Sequence, residues 1–230
     1  ARIVRLLLFM SLPFPLSRCR VQHLSTVRTL LPNVNVSAIS PHFFRMPHRF
    51  QHARLAERGE RYEDHQEGTP TEKDNELLLR CARLATEAME AGNHPFAALL
   101  ADREGRVLLS QGNRFSEGGS VMHAETLLVF EAVKRYSAEF LSTCTLYTSV
   151  EPCAMCTGAL YWSGITRLVF GLCERDLLAM TGANEENPTF DLSSVEVLSR
   201  GQREIEVYGP TDDEALRQRI AADHRSYWSR

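Results

Sequence analysis

The 230-residue chain has no run of about 18 uncharged apolar residues, so its sequence predicts no membrane-spanning helix and no membrane partner. Cysteine is sparse and poorly placed for disulfides. Of six, Cys19, Cys81, Cys144 and Cys173 stand singly, which argues against a secreted disulfide framework and for a reducing compartment, the cytoplasm first. Acid is absent from residues 1–56, which hold eight arginines. A basic excess is missing where a nucleic-acid binder would need one. Residues 71–230 carry sixteen Lys or Arg against twenty-four Asp or Glu, whereas residues 1–70 carry ten against five, for a net charge of −3. No internal repeat is present, and a composition of 43% hydrophobic and 24% charged residues is that of an ordinary globular domain with an extension.

What is present is a constellation between residues 123 and 156. His123-Ala124-Glu125 is followed, after a helix-length gap, by Pro152-Cys153-Ala154-Met155-Cys156. One imidazole and two thiolates supply three ligands of a tetrahedral zinc and leave the fourth position open, as in catalytic rather than structural sites. Glu125, two residues beyond the histidine, stands beside such a metal without binding it and is placed to move protons. A redox C-x-x-C would leave His123 and Glu125 without a role. A structural zinc knuckle would need a second ligand pair, and the other cysteines are scattered. H-x-E…P-C-x-x-C is the signature of zinc deaminases acting on nucleobases.

The rest of the chain frames that motif. Residues 1–56 read as a targeting or non-native extension. An Arg-rich, acid-poor mitochondrial transit peptide, a signal-like apolar stretch from Leu6 to Leu16, and sequence upstream of a start at Met46 all fit it. Residues 57–72 are polar with Gly59, Gly68 and Pro70, a linker, and residues 73–230 form the catalytic domain. Leu77, Leu78, Cys81, Leu84, Ala85, Ala88 and Met89 recur at helical spacing. Pro95–Ala101 and Arg106–Gln111 form a hairpin, and His123 opens a second helix. Thr145–Val150 is a third strand, Pro152 opens a third helix and Arg167–Leu172 is a fourth strand. A short helix at Leu177–Thr181 precedes a fifth strand, at Val195–Leu198 or Ile205–Tyr208, reached by a connection long enough to run parallel. A last helix runs from a cap at Thr211 to about Trp228. The sum is a three-layer α/β/α sandwich on a mixed five-stranded sheet.

Residues 75–230 resemble the cytidine deaminase-like superfamily. The resemblance is carried by His94-Pro95-Phe96-Ala97-Ala98, Gly112-Asn113, His123-Ala124-Glu125 and the run from Thr145 to Ala159. The E-P-C-x-M-C-x-G-A wording is similar to the branch of guanine deaminases, tRNA adenosine deaminases and fungal-type cytosine deaminases. The resemblance implies one Zn2+ per subunit held by His123, Cys153 and Cys156, a proton shuttle at Glu125, and a homodimer. It also implies substrate contacts at Asn113, Ala124, Phe96, Trp162 and Glu185. Beside these stand plainer roles, with Asn113 a turn residue, Trp162 a core aromatic and Glu185 part of a solvated loop.

Two departures bear on substrate. The C-terminal helix mixes Asp212, Asp213, Glu214 and Asp223 with arginines, where tRNA enzymes are basic, and the acidic pair of guanine enzymes is replaced by Gly182-Ala183-Asn184-Glu185. The expected activity is hydrolytic deamination of a small base or nucleoside, guanine-like by preference. The alternatives are adenosine in tRNA, a cytosine-type base, and an inactive deaminase-like partner subunit, which retention of Glu125 disfavours.

Overall fold

The computed structural model describes residues 67–182 and 184–229; the extension 1–56 and most of the linker lie outside the described residues. The first helix, α1 (Glu72–Glu90), follows a reciprocal cap. Thr71 Oγ1 accepts from the Asp74 amide, and the Asp74 carboxylate accepts from the Thr71 amide. Its apolar stripe Leu77, Leu78, Cys81, Ala82, Ala85 and Ala88 is buried, as the helical spacing predicts.

The hairpin β2 (Ala97–Ala101) and β3 (Val107–Gly112) comes next, with β2 buried throughout. Short α2 (Phe115–Gly118) leads to α3 (Ala124–Arg135) and the single turn α4 (Ala138–Leu141). β4 (Thr145–Val150), α5 (Ala154–Ser163), β5 (Arg167–Leu172) and α6 (Glu174–Thr181) follow in succession. The chain ends with α7 (Ser194–Ser199), β6 (Glu206–Tyr208) and α8 (Glu214–Trp228).

β2 pairs antiparallel with β3 and β4, while β4, β5 and β6 run parallel. The expected five-stranded mixed sheet is therefore β2 to β6. A two-residue strand, β1 (Glu67–Gly68), adds to its edge beside β6 within the stretch read as linker. Alternate side chains of β2 enter opposite cores, as a pleated strand requires. Ala98 and Leu100 pack with Leu128, Ala132 and Leu160 of α3 and α5, whereas Leu99 and Ala101 pack with Leu78, Cys81, Leu216 and Ile220 of α1 and α8. Helices thus cover both faces, the three layers expected.

The structure selects one of the two candidates for the last strand and corrects the cap of the last helix. Of the two candidates for the last strand, Val195–Leu198 lies in α7, because Ser193 caps it by accepting from the Glu196 amide, and Glu206–Tyr208 is the strand. α8 is capped by Asp213, not Thr211. Thr211 is buried, donating to Asn75 Oδ1 and accepting from the Asp213 amide. Among the described residues no helix is long and apolar enough to cross a membrane.

One buried ion pair joins three elements at the end of the sheet away from the motif. The Arg167 guanidinium on β5 holds Asp74 bidentately at 2.9 and 3.0 Å, and Tyr147 of β4 donates to the same carboxylate at 2.8 Å. Burial opposes ionisation of Asp74, but Arg167 and Thr71 outweigh it and hold the carboxyl well below the usual range. Removing one partner strands the other charge, so Asp74→Ala should lower stability at pH 7 by about 3 kcal/mol in urea unfolding. A carboxyl with a depressed folded pKa stabilises above its unfolded pKa of about 4 and loses that contribution on acidification. The gap between wild type and variant should narrow as the pH falls below that value.

Candidate active site

The parallel strands β4 and β5 end side by side, and the motif residues hang from that edge. β4 runs into Glu151-Pro152-Cys153, and Cys153 is the N-cap of α5, so Pro152 precedes the cap rather than opening the first turn. Cys156 lies in that turn, buried. His123 caps α3, which places Glu125 in the first turn of the facing helix. Crevices beyond the carboxyl ends of parallel strands are where α/β folds bind ligands.

His123 Nδ1 stands 3.5 Å from each of the Cys153 and Cys156 sulfurs, and the three atoms lie within 4.8 Å of one another. Ligands about 2.3 Å (sulfur) and about 2.0 Å (nitrogen) from one tetrahedral ion would sit roughly 3.5 Å apart, so the donor set fits zinc. Hydrogen bonding from Cys156, then from His123, brings Cys153 down to about 4 against the upward push of burial, which favours thiolate. Burial lowers the His123 pKa, but Cys153 and Glu125 more than offset it, and the imidazole stands at about 8.

Glu125 is 4% exposed. One carboxylate oxygen accepts from Thr148 Oγ1 at 2.7 Å and the other lies 3.3 Å from the Cys156 sulfur, beside the ligand cluster and outside it. Burial raises its pKa, the shift a proton carrier at neutral pH needs.

A cavity of about 190 Å³ opens on the cluster, walled by His123, Glu125, Cys153, Phe96, Phe190 and three further acids, Glu151, Glu174 and Glu186. Two of these acids are occupied. Glu151 accepts from the Ser194 amide and hydroxyl at 2.7 Å and from the Glu174 amide at 3.0 Å. Glu186 accepts from Tyr227 Oη at 3.0 Å and lies 2.7 Å from His94 Nε2, whose ring stacks on Phe115. Glu174 is 5% exposed, and burial, the Cys153 thiolate and neighbouring Glu151 and Glu125 push its carboxyl up to about 8. A larger polar cleft of about 400 Å³ surrounds Asp74 and Arg167, but those groups are paired with one another.

The structure brings His123, Cys153, Cys156, Glu125 and Phe96 together; the Phe96 ring lies nearly parallel to His123 with centroids 6.4 Å apart. Ala124 is fully buried in the core and is not among the residues that line the cavity. Asn113 is buried, and its Oδ1 accepts from the Phe115 amide at 2.8 Å, the turn role weighed for it. Two residues expected at the pocket do not line the cavity of the single chain. Trp162 is 77% exposed, on the helix face it shares with Met155. Glu185 points to solvent while its neighbour Glu186 lines the cavity. Glu174 and Glu186 went unread in the sequence. The one available hint for Glu174 was its place at the end of a parallel strand.

Residues 71–172 match the cytidine and deoxycytidylate deaminase zinc-binding region. The chain is 38% identical over 159 residues to a probable cytosine deaminase of Schizosaccharomyces pombe, covering 69% of this chain and 94% of that protein. It is 38% identical over 88 residues to the guanine deaminase of Bacillus subtilis, covering 38% of this chain and 56% of that enzyme. Among solved structures, a variant of the protein NE0047 in complex with 8-azaguanine superposes with a TM-score of 0.55 at 27% identity, covering 68% of this chain and 84% of that one.

The ligand geometry predicts one zinc per purified wild-type chain. Cys153→Ala and His123→Ala should each retain less than about a tenth of it by elemental analysis, since losing one of three protein ligands opens the tetrahedron.

Proposed function

Because the chain belongs to the family of zinc-dependent cytidine and deoxycytidylate deaminases, we propose that it hydrolytically deaminates a small free nucleobase, a guanine-like purine first, releasing ammonia. The observation that carries this reading is the small cavity over the His/Cys/Cys cluster, walled by aromatics and four carboxylates. About 190 Å³ is below the roughly 300 Å³ at which drug-sized pockets begin, which suits a single heterocycle. Carboxylates accept the N–H groups that bases present and repel the phosphates of RNA. The complex of a similar structure with 8-azaguanine supports a purine. A cytosine-type base is the second reading, favoured by the probable cytosine deaminase that this chain matches almost end to end.

His123, Cys153 and Cys156 would hold the zinc, which supplies Lewis acidity that activates water for attack. Glu125 takes one proton from the attacking water and delivers it to a ring nitrogen, then carries the remaining proton of the hydroxyl now bonded to the ring carbon to the amine, which leaves as ammonia as the carbon–nitrogen bond breaks and the carbonyl forms. Thr148 orients that carboxylate. Phe96 offers the base a flat apolar wall beside His123. His224 meets Phe96 edge-on at 4.9 Å and accepts from Trp228 Nε1, so the end of α8 fixes the ring.

The active species in this proposal is a homodimer, and the compartment is the cytoplasm. α3 and α5 pack on each other, and each turns apolar side chains outward at helical spacing, Phe130 with Val133 and Met155 with Trp162. A second copy covering these would remove them from water.

The test is ammonia release from zinc-loaded chain offered guanine, guanosine, adenosine, cytosine, cytidine and a tRNA anticodon stem-loop. Release from a free base is expected; activity confined to RNA would overturn the reading. Glu125→Ala should keep its zinc and lose activity roughly a hundred- to ten-thousandfold. For the dimer, Trp162→Glu should sediment as a monomer where wild type sediments as a dimer.

A further inference from the structure

Four carboxylates face the cavity, and three have partners. Glu125 is held by Thr148, Glu151 by Ser194 and the Glu174 amide, and Glu186 by Tyr227 and His94. The Glu174 carboxyl alone among them accepts no hydrogen bond and forms no ion pair within 4 Å among the described residues, although the residue is 5% exposed and feels the charge of His123 across the cavity. Its position is firmly set. It is the first residue of α6, directly beyond β5, and its amide is anchored on Glu151.

Helix dipoles favour acids in the first turn, but Asp176 meets that preference from an exposed position without burying a charge. A buried acid with no partner costs stability, and the cost persists where something outside the chain completes its hydrogen bonds. The residue lines the same cavity as His123, Glu125 and Cys153, so it faces the motif residues.

Resting on the proposed base deamination, we infer that Glu174 is a specificity-determining substrate contact, its carboxylate accepting a hydrogen bond from a ring N–H of the base other than the amine that leaves. A base methylated at that nitrogen loses the donor, and Glu174 then discriminates against it. Glu125 remains the proton carrier, and Glu174 binds.

The test uses zinc-loaded full-length chain and whichever of guanine, adenine or cytosine it deaminates fastest, compared with the N-methyl analogues of that base one ring position at a time. Wild type should reject one analogue at least tenfold in kcat/KM. Glu174→Ala should lose roughly ten- to a hundredfold in kcat/KM on the parent base, mostly through KM, and should no longer distinguish the parent from that analogue. Glu174→Gln, which keeps an acceptor oxygen and the volume, should recover part of the discrimination, and it serves as the reading if the alanine variant loses zinc or fold. Wild-type discrimination that survives in both variants, or a wild type that accepts every N-methyl analogue equally, overturns the contact and leaves the deaminase standing. A zinc-loaded wild type that releases ammonia from no base overturns the functional reading and this assignment with it.

Discussion

The site depends on the parallel pairing of β4 with β5, in register from Thr145 and Arg167 to Val150 and Leu172. Parallel strands end at the same edge, so the chain leaving β4 and the chain leaving β5 start their helices side by side. Both helix starts then border one small cavity, with Cys153 and Glu174 among its lining residues. The antiparallel hairpin β2–β3 contributes Phe96 just ahead of β2, and α3 brings His123 from across the same face. No element by itself contains a site. The register of two strands assembles it.

Legibility in the sequence followed local physics. Residues whose roles depend on spacing within one element were readable, among them the capped stripe of α1, the bounds of β4 and β5, and the ligand pair at the start of α5. Glu125 stood out because it is two residues from His123, and the structure sets it beside the candidate cluster. The substrate wall was harder, since its members meet only through the fold. Glu185 and Glu186 are adjacent and alike in composition, and the turn of the loop backbone alone decides which one faces the cavity. Trp162 lies off the cavity of the single chain, since closeness to Cys156 in sequence does not fix which way a helical side chain faces. The α7 segment carried both a β-like Val-Glu-Val and a serine cap, and the cap prevailed.

Electrostatics give the site its character. Burial disfavours charge on Glu125 and Glu174, and the hydrogen bonds that Glu125 and Glu151 accept come from hydroxyl and amide donors rather than from arginines or lysines. None of the residues that line it is a lysine or an arginine. Such a cavity is suited to a neutral, donor-rich ring near a metal and poorly suited to an anion. That preference agrees with the acidic balance of residues 71–230.

Glu151 sits two residues before the first cysteine ligand, and one carboxylate there anchors the beginnings of both α6 and α7. These two helices bracket the loop of residues 184–190 that forms the outer wall of the cavity. The strand end that carries Cys153 and the outer wall of the cavity are therefore sewn to the chain at one stitch. A lineage altering this wall is free to vary its loop residues one by one, but it cannot re-seat the wall as a whole without also disturbing the strand end that carries the cysteines. Substrate preference in such an architecture drifts through side chains within a frame that stays put.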